Sequence, residues 1–387
     1  MRTQVAIVGA GPAGLLLAHL LHLRGIDSVV LESRSREYVE SRVRAGVLEH
    51  QSVAILNECG AGGRMMSEGL LHRGIFLHFG DTSHRIDFED LTGRAVMIYG
   101  QQEVVRDLIA ARLAAREPLL FEVDSVSVHD FDQERPYVRY RSGATEQRLD
   151  CDFIAGCDGF HGVCRDSIPA AALERFERIY PFAWLGILAQ ASPASHELVY
   201  ASHDDGFALL SMRSANVSRL YLQCAPDEDL GQWSDERIWS ELQKRLGSSL
   251  TTGPVLQKSV TPMRSFVVEP MSRGRLFLAG DAAHIVPPTG AKGMNQAIAD
   301  VQVLSRALGS FYASGQLDAL HGYSRTCLRR VWKVQRFSWW MTTLLHRFDT
   351  DNAFDRRRQL AELEYLVSSR AAAQTLAENY VGLPLEV

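Results

Sequence analysis

The feature that most constrains the fold is a glycine pattern near the start of the chain. Residues 9–14 read Gly-Ala-Gly-Pro-Ala-Gly; they follow a short β-rich run, residues 4–8, and open an apolar helical stretch, residues 15–23. Gly25 follows that stretch, and a second β-rich run, Ser28–Leu31, ends at Glu32. This order predicts a β-α-β unit that binds a dinucleotide.

Each residue type in this unit has a physical task. The first glycine permits a tight turn, the second lets the backbone approach a pyrophosphate, and the third lets the helix pack closely on the strand. The helix N-terminus presents a partial positive charge to the phosphates. An acid at the end of the second strand can bind ribose hydroxyls. The predicted contacts are Gly9, Gly11, Ala13, Gly14 and Glu32.

Two later segments indicate that the dinucleotide is FAD. Residues 152–159 (DFIAGCDG) and residues 276–284 (LFLAGDAAH) each read as a strand ending in glycine and aspartate. Asp158 and Asp281 are therefore predicted cofactor contacts, because a carboxylate at a strand end can accept hydrogen bonds from ribose or ribityl hydroxyls. A helix predicted from Lys292 would point its N-terminus at the flavin ring, where it favours the charge of a reduced flavin.

The rest of the chain indicates an α/β protein with discontinuous domains. Residues 42–57 and 101–115 have helical patterns, whereas residues 71–98, 137–151 and 176–268 alternate as antiparallel strands do, with a helix at 235–245. We predict a Rossmann-like FAD-binding domain of the GR2 type with an inserted antiparallel substrate sheet and a C-terminal helical region. The predicted bounds are 1–70, 96–175 and 269–300 for the FAD domain, 71–95 and 176–268 for the substrate domain, and 301–387 for the helical region.

The composition of the chain limits the classes of partner and the metal sites that we expect. The 387 residues carry a net charge of -5, which gives no reason to expect nucleic acid or an anionic membrane as partner. The spacing of the six cysteines fits no common zinc site, so we expect free thiols, no metal and a reducing cytoplasm. No run of 18 apolar residues and no N-terminal signal core occur in the sequence.

A predicted hairpin suggests an anionic ligand. Ser211 and Arg213 are two residues apart on one strand, and Arg219 and Tyr221 are two apart on the next, so each pair shares a face. With residues 214–218 as the turn, symmetric pairing would place Arg213 opposite Arg219 and Ser211 opposite Tyr221. Two adjacent arginines repel, and a bound carboxylate would offset that repulsion.

The three motifs, in this order and at these separations, resemble those of the class A flavoprotein aromatic hydroxylases. Four further segments resemble the branch of that family that acts on 4-hydroxybenzoate: residues 42–49 (RVRAGVLE), 284–293 (HIVPPTGAKG), 336–341 (RFSWWM) and 378–384 (ENYVGLP). The resemblance implies hydroxylation of 4-hydroxybenzoate to 3,4-dihydroxybenzoate with FAD, NADPH or NADH, and O2, through a flavin C4a-hydroperoxide.

The resemblance also implies roles for single residues. Ser211, Arg213 and Tyr221 would hold the substrate carboxylate, and Arg219 would help to control the flavin position. Tyr200 would hydrogen-bond the substrate phenol, Tyr380 and His72 would pass its proton to solvent, and the carbonyl of Pro288 would contact the hydroxyl. The implied contacts to FAD, besides those above, are Arg42, Arg44, Gln101, Lys292, Gly293, Met294 and Asn295.

The coenzyme would dock on a surface cleft, because the one visible dinucleotide fold is taken by FAD. The expected NAD(P)H contacts are Ser33, Arg34, Tyr38, Arg44, His161 and Arg264. Basic residues favour the 2′-phosphate of NADPH, but Ser33 replaces an expected arginine and Glu37 opposes an anion, so NADPH is slightly favoured and NADH or dual use stays open. A homodimer is expected from the resemblance.

Two other functions remain open on the sequence alone. The chain could hydroxylate another para-substituted benzoate such as 4-aminobenzoate, although Tyr200 and Tyr380 favour a phenol. It could instead be a flavin-binding protein without oxygenase activity, which would lack a tight carboxylate pocket. Trp339 and Trp340 are expected in the core or at a subunit interface.

Overall fold

The structure is a computed structural model that describes residues 1–42 and 46–385. Its first ten strands, in chain order, are β1 (Val5–Val8), β2 (Ser28–Leu31), β3 (Val47–Leu48), β4 (Leu70–His72), β5 (Gly74–Phe79), β6 (Thr82–Asp87), β7 (Val96–Ile98), β8 (Leu119–Leu120), β9 (Val123–His129) and β10 (Tyr137–Ser142). The remaining strands are β11 (Thr145–Asp150), β12 (Phe153–Gly156), β13 (Glu174–Ala189), β14 (Val199–His203), β15 (Gly206–Ser214), β16 (Val217–Cys224), β17 (Val255–Glu269), β18 (Ser272–Arg273), β19 (Leu276–Leu278) and β20 (His284–Ile285).

Helices are concentrated at the two ends of the chain. In chain order they are α1 (Pro12–His22), α2 (Arg36–Ser41), α3 (His50–Glu58), α4 (Gly63–Glu68), α5 (Phe88–Thr92), α6 (Gln101–Ala114), α7 (Val163–Asp166), α8 (Asp235–Leu246), α9 (Gly293–Ser314), α10 (Asp318–Leu345), α11 (Ala353–Ser368) and α12 (Arg370–Val381). The last four run almost without interruption from Gly293 to Val381, as expected for a helical C-terminal region.

The first large sheet contains the predicted β-α-β unit. Its strand order is β18-β19-β12-β1-β2-β8, and every pair except β18 with β19 is parallel. Strands β1, β2 and β12 are fully buried, which is typical of a parallel sheet covered on both faces. Helix α1 packs against α6 and α9. The carboxyl ends of β1, β2, β12 and β19 thus open toward one edge, where ligands bind in such sheets.

The second large sheet is mostly antiparallel and has the order β20-β17-β13-β16-β15-β14-β5-β6. Its long central strands bury one face against α8 and the other against the C-terminal helices, so two separate apolar clusters form. The alternation of residues along β14, β15 and β16 decides which side chains face which cluster. Tyr200, Leu209 and Tyr221 belong to the cluster on the C-terminal helices.

One element differs from the sequence-based prediction. The pattern at residues 42–57 predicts a single helix, but the structure has strand β3 before α3 begins at His50. The backbone N–H of Tyr99 donates to the carbonyl of Gly46 at 2.8 Å, and β3 pairs with β7. A Cβ on Gly46 would lie 2.3 Å from the Tyr99 carbonyl oxygen, so the two chains approach too closely for another residue type. Strand pairing therefore overrides the helical periodicity here.

Two further observations concern the whole described chain. Among residues 1–42 and 46–385 no helix is long and apolar enough to cross a membrane. All six cysteines lie in these ranges, and all are buried with free thiols.

Candidate active site

The turn after β1 contains three glycines, and a different physical constraint favours glycine at each position. Gly9 has a φ of +104°, and a Cβ there would lie 2.3 Å from the carbonyl oxygen of Cys157. A Cβ on Gly14 would lie 1.9 Å from the carbonyl oxygen of Gly9. Gly11, by contrast, has no protein atom within 4 Å of a Cβ position, so no described neighbour explains it. A ligand that approaches this backbone closely does explain it.

The helix that follows this turn is free to bind an anion. Gly11 is the N-cap of α1 and offers no side-chain hydrogen bond, and Pro12 occupies the first helical position. The amides of the first turn, which include those of Ala13 and Gly14, have no acceptor within the helix. This cradle fits a pyrophosphate, which would accept their hydrogen bonds at the positive end of the helix dipole.

Glu32 lies beside the glycine turn at the end of β2. Its Oε2 accepts a hydrogen bond from the Ala10 N–H at 2.8 Å, and its Oε1 accepts one from the Arg34 N–H at 2.8 Å. These bonds hold the carboxylate at the strand end, while Oε2 keeps a second lone pair for a ribose hydroxyl. The residues present therefore fit a dinucleotide.

The two predicted aspartates occupy different settings. Asp158 accepts a hydrogen bond from the Cys164 N–H at 2.9 Å and so supports the turn into α7, and burial raises its pKa. Its other carboxylate oxygen is buried and has no hydrogen-bond partner within the described part of the chain. Asp281 is exposed at the tip of the turn after β19. Asp281 is therefore accessible to a ligand, whereas Asp158 accepts a hydrogen bond that stabilises the backbone of the turn.

A buried carboxylate anchors the Asp281 turn. Asp300 of α9 accepts a hydrogen bond from the Gly280 N–H at 2.9 Å and another from His284 Nε2 at 2.6 Å, through the same oxygen. Burial alone would lower the pKa of His284, but the charge of Asp300 and its hydrogen bond outweigh burial, and the pKa is raised. His284 and the Gly280 amide thus both donate to Asp300, and both ends of the turn are tied to one helix.

Lys292 forms an ion pair within the protein. Its Nζ donates to Glu49 Oε1 at 2.7 Å and to the Tyr380 carbonyl at 2.8 Å, and Arg330 donates to the other oxygen of Glu49 at 2.5 Å. Burial lowers the pKa of Lys292, while Glu49 acts in the opposite direction. The structure thus places this predicted cofactor contact in a three-charge cluster with one surplus positive charge.

Asn295 is saturated by the protein itself. Its oxygen accepts from the Glu49 N–H at 2.9 Å, and its amide nitrogen donates to the carbonyls of Val47 and Ala291, both at 2.9 Å. It therefore ties β3 to the start of α9. Met294 beside it is buried, whereas Gly293 is exposed with no atom within 4 Å of a Cβ position, which leaves space for a ligand.

Two other predicted cofactor contacts lie on the neighbouring segments. Arg42 is exposed at the end of α2, and Gln101 is half-buried at the first position of α6. Arg44, predicted to contact both FAD and the nicotinamide coenzyme, lies outside the described residues.

The hairpin that holds the predicted substrate residues has a different register from the predicted one. Ser211 lies opposite Arg219, and Tyr221 lies opposite Leu209. The predicted pairing of Arg213 with Arg219 is therefore wrong. The turn contains two residues rather than five, since Ser214 pairs with Val217, and a bulge lies between Met212 and Ser214. The shorter turn and the bulge each shift the pairing by one residue from the predicted register, and Ser211, Arg219 and Tyr221 still share one face.

The electrostatics of this face favour an anion. Burial lowers the pKa of Arg213, and the nearby charge of Arg219 adds to that effect. Arg219 is 7% exposed, donates from Nε to Tyr221 Oη at 3.3 Å, and has a buried Nη1 without a hydrogen-bond partner in the described structure. Buried Arg219 and half-buried Arg213 place two positive charges close together, and a bound anion would offset their repulsion. The arrangement fits a carboxylate.

Tyr200 lies one row away from this positive region. The pairing of β14, β15 and β16 places Tyr200, Leu209 and Tyr221 in one row, and Ser211 with Arg219 in the row two residues further along. Rows two residues apart are separated by about 6.6 Å. That separation resembles the distance between the two para substituents of a benzene ring.

The phenol oxygens of Tyr200 and Tyr380 are 2.6 Å apart, although 180 residues separate them in the chain. Both side chains are 1% exposed, and burial raises the pKa of each, so both are neutral phenols at physiological pH. The other predicted relay residue, His72, is 1% exposed, and burial lowers its pKa to about 4. The carbonyl of Pro288 accepts a hydrogen bond from the Ala291 N–H at 2.9 Å and keeps one lone pair.

The predicted coenzyme contacts in the described residues form two groups. Ser33, Arg34 and Tyr38 follow β2, and the Arg34 guanidinium lies 5.3 Å from the ring centre of Tyr38. His161 and Arg264 instead both contact the Phe160 ring, at 5.0 Å and 4.5 Å from its centre.

Sequence reasoning missed several residues that shape the site. Glu49 ends the segment 42–49, but its position in the sequence indicates no role for it. Nothing in the sequence indicates that Arg330 reaches it across 281 positions. Gly186 was also missed; it lies opposite Tyr221, and a Cβ there would be 2.8 Å from Arg219 Nη2. These contacts arise from elements far apart in the chain.

Comparison with known proteins gives the class. The sequence profile of the family described as FAD binding domain matches residues 2–338. The structure of p-nitrophenol 4-monooxygenase from Pseudomonas putida shares the fold, with a TM-score of 0.84 over 99% of both chains at 20% sequence identity. The family match, the flavin cradle and the shared fold define the class: a flavoprotein with an FAD-binding domain.

A closer relative gives the particular family. The sequence is 50% identical over 392 residues to p-hydroxybenzoate hydroxylase of Acinetobacter baylyi, covering 100% of this chain and 97% of the relative. The chain belongs to the family of that enzyme. A more distant relative, 3-amino-4-hydroxybenzoate 2-monooxygenase of Streptomyces cremeus, is 26% identical over 92% of this chain and 91% of its own length.

Proposed function

We propose that this enzyme hydroxylates 4-hydroxybenzoate at the 3-position, giving 3,4-dihydroxybenzoate. The observation that carries the proposal is the spacing of two groups on one sheet face. Arg219 and Ser211 offer a site for a carboxylate, and Tyr200 lies one row away with its phenol oxygen 2.6 Å from that of Tyr380. A benzoate with a para hydroxyl matches both ends at once, which a ligand without either substituent does not.

The chemistry requires the phenol to lose its proton. A phenolate ring is far more nucleophilic at the ortho carbon than a phenol, and moving a phenol pKa from ~10 to ~7 takes about 4 kcal/mol of preferential stabilisation of the anion. The positive charges of Arg213, Arg219 and Lys292 favour the anion. Tyr200 and Tyr380 are neutral phenols that can pass a proton by accepting one and releasing another, and neutral His72 can accept it.

FAD, when bound, is reduced by the nicotinamide coenzyme and activates O2. In our proposal Gly11, Ala13 and Gly14 hold its pyrophosphate, Glu32 its ribose and Asp281 its sugar chain. The segment Gly290–Gly293 and Asn295 border the ring, and the Pro288 carbonyl contacts the substrate hydroxyl. We also keep the division into FAD, substrate and helical domains as a proposal, supported by the two separate large sheets.

The proposal also covers the coenzyme site, the location in the cell and the oligomeric state. NADPH or NADH would bind near Phe160 through His161 and Arg264, with Ser33, Arg34 and Tyr38 contributing to the choice of coenzyme. Six buried free thiols support a reducing cytoplasm as its location. A homodimer is supported by Trp332 and Trp339, which lie seven residues apart on α10 and are each 42% exposed.

The test is coenzyme oxidation by the FAD-loaded enzyme with and without 4-hydroxybenzoate, with product analysis by chromatography. We expect strong stimulation and stoichiometric 3,4-dihydroxybenzoate. Benzoate and 4-aminobenzoate serve as comparison ligands, since each keeps the carboxylate but changes the para group. If only H2O2 forms with 4-hydroxybenzoate, or if 4-aminobenzoate is hydroxylated faster, the proposed substrate is wrong.

A matched pair of variants tests the two ends of the site separately. Arg213→Gln removes a charged donor to the carboxylate, and we expect the Kd of 4-hydroxybenzoate to rise roughly 10- to 100-fold, since such a hydrogen bond contributes about 1.5–3 kcal/mol. Tyr380→Phe removes the 2.6 Å hydrogen bond to Tyr200. We expect this variant to bind substrate normally but to form less phenolate at each pH, measured from the absorbance of the bound ligand.

A further inference from the structure

His72 is a buried base that lacks visible support. Neither ring nitrogen has a hydrogen-bond partner among the described residues, and the side chain is 1% exposed. A neutral imidazole in such a place has one nitrogen able to accept a proton. The resulting imidazolium would be costly in an apolar environment unless a negative charge lies close by. His72 can carry a proton outward only if some group stabilises that cation.

Glu197 contacts the chain directly beside His72. Its Oε1 accepts a hydrogen bond from the Arg73 N–H at 2.9 Å, and Arg85 of β6 donates to both carboxylate oxygens at 2.7 and 3.0 Å. The side chain of Glu197 is 12% exposed, against 35% for Arg85. Glu197 therefore lies at the boundary between buried His72 and the solvent.

The charges at this boundary sum to a negative value. Arg85 is shared by Glu197 and by Asp87, whose carboxylate it contacts at 2.5 Å, so two acids face one guanidinium. The Arg73 side chain is balanced by Glu89 at 2.9 Å. Burial raises the pKa of Glu197, but Arg85 and the Arg73 amide outweigh burial and lower it, so Glu197 stays ionised. The surplus negative charge favours a cation on His72.

The segment around Arg73 is also connected to the pair of Tyr200 and Tyr380. The Tyr380 ring stacks on Phe88 with ring centres 4.9 Å apart, and the Phe88 N–H donates to the Arg73 carbonyl at 2.7 Å. Helix α12, which holds Tyr380, packs on α5, which holds Phe88. Tyr380, the strand of His72 and Glu197 thus follow one another from the interior to the surface.

We propose that Glu197 is a positioning residue that stabilises the imidazolium of His72 and so directs the substrate proton to solvent. This inference rests on the proposed function. The phenol O–H bond of the substrate breaks, and Tyr200 and Tyr380 each accept one proton and release another. Water carries the proton from Tyr380 to a nitrogen of His72, which forms the new N–H bond. A solvent water at the Glu197 boundary then takes this proton, and no electrons are transferred.

The experiment measures proton release when 4-hydroxybenzoate binds to the FAD-loaded enzyme, by stopped flow with an indicator dye. Glu197→Gln keeps the shape and removes the charge, and we expect release to slow about tenfold, as a one-unit fall in the pKa of His72 would produce. Glu197→Asp keeps the charge and should restore most of the rate. Asp81→Asn removes an exposed carboxylate from the turn between β5 and β6, outside the charge balance of Arg73 and Arg85, and its rate should match the wild type.

A double variant separates the proposed role from a structural one. In a His72→Asn background, Glu197→Gln should change proton release by less than about twofold, because two residues that act on one step are not additive. Equal slowing in both backgrounds, or an unchanged rate in Glu197→Gln with wild-type His72, overturns the inference. If the wild-type enzyme itself releases no proton and forms no hydroxylated product, it is the proposed function that fails.

Discussion

Lys292 and Glu49 are 243 residues apart in the chain and form an ion pair of 2.7 Å in which each side chain is 2% exposed. Arg330 completes the cluster from a third element. This contact joins the segment after β3 to the start of α9, the helix that borders the proposed flavin site. It also leaves one surplus positive charge in the interior, where a phenolate or a reduced flavin would be its counter-ion.

Glu49→Gln should destabilise the protein strongly, because it leaves two buried cations without their anion. We expect the free energy of unfolding in urea at neutral pH to fall by about 3–5 kcal/mol. Glu68→Gln removes an exposed partner of Arg64 and should cost less than about 1 kcal/mol. Equal losses in the two variants would contradict a special role for the buried cluster.

The same variant should have a characteristic pH dependence. Burial raises the pKa of Glu49, but Lys292 and Arg330 outweigh burial and leave the pKa below its ordinary value of 4.5. The stabilisation is therefore present above pH 4.5 and is lost as the pH falls through the lower pKa of the folded state. The stability gap between wild type and Glu49→Gln should shrink in that acidic window, which unfolding curves at several pH values will show.

The pair of His284 and Asp300 should have the opposite pH dependence. The pKa of His284 is raised above its ordinary value of 6.5, so the ion pair stabilises the protein fully below pH 6.5 and loses that effect as the pH rises through the folded-state pKa. Asp300→Asn should therefore cost most stability in mild acid and less in alkali. A stability loss that is constant with pH would show that neutral hydrogen bonds carry the whole effect.

Gly186→Ala should disturb the proposed carboxylate site without removing any charge. The new methyl group would lie 2.8 Å from Arg219 Nη2, closer than van der Waals contact allows. We expect the displaced guanidinium to raise the KM for 4-hydroxybenzoate several-fold, with little change in coenzyme oxidation without substrate. Gly231→Ala, in an exposed turn of the same part of the chain, is the matched control. An unchanged KM would mean that Arg219 moves without consequence for binding.

Ser33→Arg should shift the coenzyme preference toward NADPH. Ser33 is exposed after β2, and its hydroxyl lies 3.4 Å from Glu32 Oε1, so no basic group stands at this position. An added guanidinium can bind a 2′-phosphate, and we expect the ratio of kcat/KM for NADPH over NADH to rise about tenfold. Ser67→Arg, on the exposed face of α4, controls for general charge. A ratio that does not change would place the coenzyme elsewhere.

Local patterns predicted most elements of the fold. The β-α-β unit, the long antiparallel strands and the C-terminal helices appear where periodicity places them, because each side chain there faces the core or solvent as its polarity requires. The helix predicted at 42–57 is wrong at its start, because pairing with β7 makes Val47–Leu48 a strand. The predicted hairpin register is also wrong, because the alternation of residue types along a strand does not reveal the bulge beside Arg213.

By itself the sequence determined the dinucleotide fold, the flavin motifs and the residue types needed for an aromatic acid. These are local properties, set by a few consecutive residues whose backbone and polarity leave one sterically possible arrangement. Only the tertiary structure decided that the phenol oxygens of Tyr200 and Tyr380 meet at 2.6 Å, that Glu49 neutralises Lys292, and that Glu197 lies beside the strand of His72. Such contacts join distant elements, and their geometry depends on how sheets and helices pack, which no single stretch of sequence contains.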